Sequence, residues 1–140
     1  MAAATSVKVT QVKNQYLQRY AEFTAAANAL DNSGSQDVFS LDVAGLVRIA
    51  IHITVATNAL AAFAIKGLVS EADTTYVTLK STAGQFTSPS GILIDTSGDL
   101  TAQAVGEGWF VLNVAGFAKI KIFANSAGAS STIALKGSGV

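Results

Sequence analysis

The chain has 140 residues, nine basic and nine acidic side chains that cancel, a charged fraction of 13%, a mean hydropathy of +0.43 and no cysteine. Disulfides, thiolate metal sites and a cysteine nucleophile are thereby excluded, and the scattered, balanced charges leave no electrostatic footprint for nucleic acid. The length suits one domain, and charge well below the roughly 25% of ordinary soluble domains, at zero net charge, predicts a surface partly covered by other subunits.

The opening MAAATSVKVTQVK has no basic region followed by an apolar run, and the longest apolar stretch, 59–65, is far too short to span a bilayer. The expectation is a protein made in a cytoplasm, with no membrane partner. Residues 6–12 alternate weakly and predict a short strand or arm. Tyr16, Tyr20, Phe23, Ala27 and Leu30 then recur at helical spacing, with Arg19 and Glu22 beside the stripe. Thr24 and the small residues of 21–27 suit a strand equally well. The reading is helix or irregular arm for 14–20, with 21–30 open between helix and strand, the strand alternative making Asp31-Asn32-Ser33-Gly34 a hairpin turn. Residues 1–30 are accordingly set apart as an N-terminal arm, and 31–140 as the main domain.

In 47–55 the odd positions Val47, Ile49, Ile51, Ile53 and Val55 are all β-branched, alternating with Arg48, Ala50, His52 and Thr54, which predicts a half-buried strand. Between 71 and 110, turn signals at Glu71-Ala72-Asp73, Thr87-Ser88-Pro89-Ser90-Gly91, Thr96-Ser97-Gly98 and Gly106-Glu107-Gly108 separate short alternating segments, the last of them running from Trp109 to Val114. The chain also contains itself twice. LDVAGLVRIAIHITVATNALAAFAIKG (41–67) recurs as LNVAGFAKIKIFANSAGASSTIALKG (112–137), with Val-Ala-Gly matched at 43–45 and 114–116 and Lys66-Gly67 matched to Lys136-Gly137. In the second copy Ile120, Ile122 and Ala124 face inward and Lys119, Lys121, Phe123 and Asn125 outward, while Phe63 and Ile65 match Ile133 and Leu135. Two such strand-turn-strand units predict the two halves of an all-β fold, a β-sandwich with jelly-roll-like topology.

Candidate chemistry is sparse. His52, the single histidine, has Ala50 and Thr54 as neighbours on its strand face and no carboxylate to activate it, so neither catalysis nor metal ligation is expected. Asp95 and Asp99 flank a tight turn but lack the further ligands of a calcium loop, and Glu71 and Asp73 read as turn residues. Gly106-Glu107-Gly108 is followed by no phosphate-loop lysine. Lys119 and Lys121 read as solvated edge protection. Trp109 and Phe110, being adjacent on a strand, point to opposite faces, so one belongs to the core and the other is open to a partner or a sugar ring. The aromatic stripe before the sandwich, Tyr16, Tyr20 and Phe23 with Arg19, is the candidate contact surface, since tyrosine is enriched at interfaces.

The segments LDVAGLVRIAIHITVA and STAGQFTSPSGILIDTSGDLTAQAVGEGWFVLNVAGFAKIKIFANSAGASSTIALKGSG, within roughly residues 38–140, resemble the small β-sandwich virion proteins of tailed bacteriophages, in particular capsid decoration or cement proteins. The resemblance lies in Ala/Gly/Ser/Thr-rich strands, the Val-Ala-Gly turn before alternating Val/Ile, and an Ala-Ser-rich terminal hairpin. It implies a non-enzymatic protein without cofactor or metal, bound to the major capsid protein on the capsid surface, self-associated as a homotrimer, with the N-terminal arm making contacts. The family has no residue-level contact motif, so the resemblance transfers no functional residue. Tail and fibre proteins share this style, which leaves a glycan- or receptor-binding module as the alternative, with Trp109 or Phe110 against the sugar.

Overall fold

The computed structural model describes residues 7–8, 10–14, 20–80, 86–90, 92–94, 100–103 and 105–140, with side chains described for 21–80 and 105–140. It is all-β, with no helix among the described residues. The strands are β1 (Val7–Lys8), β2 (Thr10–Asn14), β3 (Tyr20–Leu30), β4 (Gln36–Asp42), β5 (Arg48–Ala56), β6 (Leu60–Leu68), β7 (Val77–Thr78), β8 (Phe86–Ser90), β9 (Ile92–Ile94), β10 (Leu100–Gln103), β11 (Gly106–Asn113), β12 (Lys119–Ser126) and β13 (Ser131–Gly139). A six-stranded sheet, β2-β3-β13-β5-β11-β8, packs on a five-stranded sheet, β1-β4-β12-β6-β7, and β9 pairs with β10. Every pairing is antiparallel except β1 with β4.

Alternation explains the core. Ile49, Ile51, Ile53 and Val55 of β5 face Ile120, Ile122 and Ala124 of β12 across the sandwich, joined by Phe63, Ile65, Phe110, Leu112, Ile133 and Leu135, all buried. Val47 departs from the expected inward row and is 60% exposed. The turn at Ala44-Gly45, closed by Leu46 N–H donating to Val43 O and using a positive φ at Gly45, swings Leu46 inward and Val47 out before the strand begins. Gly106-Glu107-Gly108 forms no turn: β11 starts at Gly106, where a positive φ admits the chain, and Gly108 lies opposite Ile53.

The two sequence copies do not form separate halves. Each sends its long strand to one sheet and the next to the other, so β12 of the second copy sits between β4 and β6 of the first, and β5 of the first sits between β13 and β11 of the second. Reciprocal hydrogen bonds tie the copies at their turns: Val43 N–H donates to Ala118 O at 3.1 Å and Val114 N–H to Val47 O at 2.9 Å. The register also revises the match at Lys-Gly. Ile120 pairs with Gly67, and its counterpart Ile49 pairs with Gly139, so Gly67 corresponds to Gly139 rather than to Gly137. A slip of two residues keeps every side chain on its face, which is why the sequence pattern conceals it.

β3 shows why 21–30 resisted a reading. Opposite β13, Asn28 pairs with Ile133 and Ala25 with Leu135, so Ala26 and Ala27 together face Ala134 in a β-bulge. The extra residue resets the alternation: Ala21, Phe23 and Ala25 point inward before it and Leu30 after it. Phe23 and Leu30 are seven apart, an odd interval that an unbroken strand puts on opposite faces and a helix puts on one. β4 carries a comparable irregularity, with Val38 and Phe39 both buried opposite a register shift in β12. The Asp31–Gly34 turn joins strands of different sheets and so is a crossover, not a hairpin.

Candidate interaction surfaces

Of the four residues read as a contact stripe, Tyr16 and Arg19 lie outside the described residues, and Tyr20 opens β3 opposite Asn14. Phe23 is 1% exposed, in the core, on the strand next to β13. It is a packing residue, and its assignment to a partner surface is corrected: alternation across β3 turns Glu22 and Thr24 outward in its place. Asp95 and Asp99 also lie outside the described residues. Asp73 Oδ1 accepts the Thr75 N–H at 3.0 Å, the turn role expected of it. Among the described residues no group of three or more His, Asp or Glu is placed to hold a metal ion, and no helix is long and apolar enough to cross a membrane.

The two ends of the sandwich differ in chemistry. One end is polar and internally bonded. Ser126 Oγ and Ser131 Oγ are 2.6 Å apart, Ser131 Oγ donates to Asn58 O, and Asn58 Nδ2 donates to Ser130 O. Gln36 Nε2 donates to Asp31 O at 2.9 Å, and the Asp31 carboxylate accepts from the hydroxyl and the backbone N–H of Ser33. The Ser33 hydroxyl bond, followed by its backbone bond, holds the Asp31 carboxyl below its ordinary value.

The opposite end is built from the duplicated turns. Ala44, Gly45 and Val47 of one copy and Ala115, Gly116, Phe117 and Ala118 of the other enclose a shallow depression completed by Leu46 and Val69. Val69 is 61% exposed, and Val140, 53% exposed, is held beside Val47 by the Val47 N–H, which donates to the backbone oxygen of Val140. No lining side chain carries a charge or a polar atom. Sequence reading missed this end because it assigned Val47 to the core; the signal was the doubled Ala-Gly, a small-residue turn that exposes its flanking valines.

The outer sheet faces carry the remaining chemistry. On the five-stranded sheet Lys121 Nζ donates to Asp37 Oδ2 at 2.8 Å and lies 5.7 Å from the Tyr76 ring centre, while Lys66 lies 4.8 Å from that of Phe123. The two rings meet edge to face at 5.8 Å. Lys121 therefore does not protect an edge: β12 is an interior strand, and the Asp37 bond, ahead of all other causes, raises the lysine above its ordinary value. On the six-stranded sheet Phe110 is buried and Trp109 is 44% exposed, which resolves the choice between the two aromatics. Trp109 lies opposite His52, and His52 opposite Lys136. The carboxylate missing from the histidine's own strand comes from β11: Glu107 Oε1 is 3.8 Å from His52 Nε2, beyond hydrogen-bonding range.

No protein-family model matches the chain, and no curated protein matches it in sequence. Among solved structures, the SPBc2 prophage-derived protein YomS aligns at 10% identity and a TM-score of 0.49, over 90% of this chain and 98% of that one. The enzymatically active domain of bacteriophage CBA120 tailspike protein 4 aligns at 12% identity and a TM-score of 0.39, over 99% of this chain. The chain spans 19% of that tailspike chain. Likeness this remote assigns no chemistry to the present residues.

Proposed function

We propose that the protein is a non-enzymatic structural component of a tailed-phage virion, a decoration protein that binds assembled capsid subunits through the apolar end of its sandwich and stabilises the shell. The observation that carries this reading is that end itself: exposed Val47 and Val69 around two Ala-Gly turns, without a charged side chain in the depression they border, and exposed Val140 hydrogen-bonded beside Val47. An exposed apolar patch with no internal use marks a protein contact. The strand order supports the reading as well. We read β3-β13-β5-β11 over β4-β12-β6-β7 as a jelly-roll-like order within the β-sandwich, an architecture found in viral capsid proteins and also in lectins, which agrees with the reading without assigning it. The sequence resemblance supplies the partner, the major capsid protein, and the homotrimer that would present three such ends together.

Binding only the assembled form stabilises it in proportion to occupancy. Purified protein should sediment with expanded empty shells and not with disassembled capsid subunits, and light scattering should give a trimer. The triple variant Val47→Asp, Val69→Asp, Val140→Asp should keep its circular dichroism and lose the shells. Binding to neither form, or undiminished binding by the triple variant, would overturn the reading.

A further inference from the structure

We propose that the outer face of the six-stranded sheet carries a saccharide-binding groove in which the indole of Trp109 stacks on a neutral pyranose ring. The groove shares no lining residue with the apolar end and stands independently of the docking reading.

Register builds the site. Trp109, His52, Lys136 and Thr24 are successive partners across β11, β5, β13 and β3, so they form one row perpendicular to the strands. The neighbouring row on the same face is Val111, Ala50, Ser138 and Glu22. The small side chains of Ala50 and Ser138 leave a trough beside the taller first row, a depression of about 420 Å³ bounded by Trp109, His52, Lys136 and Glu22. That volume falls within the range of small-molecule sites.

A pyranose has an apolar face of C–H groups and a rim of hydroxyls that both donate and accept. An indole exposed on a rigid interior strand offers a flat apolar platform for the first without ordering a flexible side chain. The rim meets a donor in Lys136, a donor or acceptor in His52 and in the Ser138 hydroxyl, and an acceptor in Glu22. Charge selects within the class. Among the described side chains of this face Glu22 and Glu107 balance Lys136 and Arg48, so there is no positive excess. Phosphates of a nucleic acid and the carboxylates or sulfates of acidic glycans would gain no net attraction there, whereas neutral sugars need none.

Trp109 is the single tryptophan of the chain, so intrinsic tryptophan fluorescence reads the groove directly. Titration with methyl glucoside, methyl galactoside, N-acetylglucosamine, lactose and maltose should give, for at least one, a saturable change in emission. A printed array of neutral and acidic glycans should retain the protein on neutral spots. Trp109→Ala, at an exposed position, should weaken array binding by about tenfold or more. Ala50→Phe, which fills the trough and keeps the indole, should weaken it comparably while thermal melting stays near that of the parent. The proposal is overturned by absence of any saturable response up to millimolar sugar together with a blank array, by retention on acidic glycans alone, or by binding that survives both substitutions. Selection of peptides rather than glycans from a displayed library, lost on Ala50→Phe, would also overturn it and give the groove to a protein partner.

Discussion

Replacing Gly137 with alanine tests the register that separates the two copies in space from the two copies in sequence. A Cβ at Gly137 would come within 2.6 Å of the Ala50 carbonyl oxygen and 2.8 Å of Ile51 Cδ1, the first a backbone atom of the adjacent β5. The carbonyl oxygen cannot retreat without shifting the sheet, and overpacking of this kind costs about 1–3 kcal/mol. Removing a glycine from a strand interior recovers about 0.5–1 kcal/mol of chain entropy, leaving a net loss of up to about 2.5 kcal/mol. Gly67, its partner in the sequence match, differs: the atoms a Cβ would meet belong to the ring of Phe117, a half-buried side chain at the apolar end. That ring can swing toward solvent, so Gly67→Ala should stay within about 1 kcal/mol of the parent. Urea denaturation with unchanged m-values provides the comparison. A stabilising Gly137→Ala, or a Gly67→Ala at least as destabilising as Gly137→Ala, would refute the pairing of Gly137 against Ile51.

Other outcomes follow from single features. Ile51→Ala should cost about 2–5 kcal/mol as a core cavity, and Lys121→Ala about 1 kcal/mol through its half-buried bond to Asp37, both measured by chemical denaturation. Thr57, a β-branched residue at φ 77° in the exposed link between β5 and β6, is strained, so Thr57→Gly should raise stability by about 1 kcal/mol in the same assay. Because the Asp31 carboxyl is held below its ordinary value, its contribution is present above the unfolded value and is lost as pH falls through the folded one; Asp31→Asn should flatten the acid limb of melting temperature against pH below about pH 4. Lys121 has the opposite sign, contributing fully below its unfolded value and losing that contribution as pH rises through its raised folded value, so Asp37→Asn should flatten the alkaline limb. Deleting residues 1–30 removes Ala21, Phe23, Ala25 and Leu30 from the core and uncovers the edge of β13, so circular dichroism of the truncated chain should show loss of the fold rather than a folded domain lacking contacts.

What could be read from sequence, and what could not, divides along the reach of local periodicity. β5 and β12 were legible because a buried strand with one solvated face repeats every two residues, and nothing interrupts 48–56 or 119–126 within either strand. In β3 a single bulge at Ala26-Ala27 replaced that period with intervals of three, four and seven, and the aromatic stripe took on a helical look that concealed a core strand. The duplication was equally visible, but sequence order cannot say whether two units pack side by side or exchange strands, and here the turns at 43–47 and 114–118 bind each other so that the sheets interleave. The surfaces depend on that interleaving. Trp109, His52, Lys136 and Thr24 come from four segments between residues 24 and 136 and become a row only through pairing register. The apolar end arises in the same way, since Val47 and Val140 are brought together by the bond that caps β13 against the first Ala-Gly turn. Duplication thus supplies two copies of one weakly polar turn, and the crossing of strands between sheets brings both to the same end, where together they border one apolar depression that neither copy alone would form.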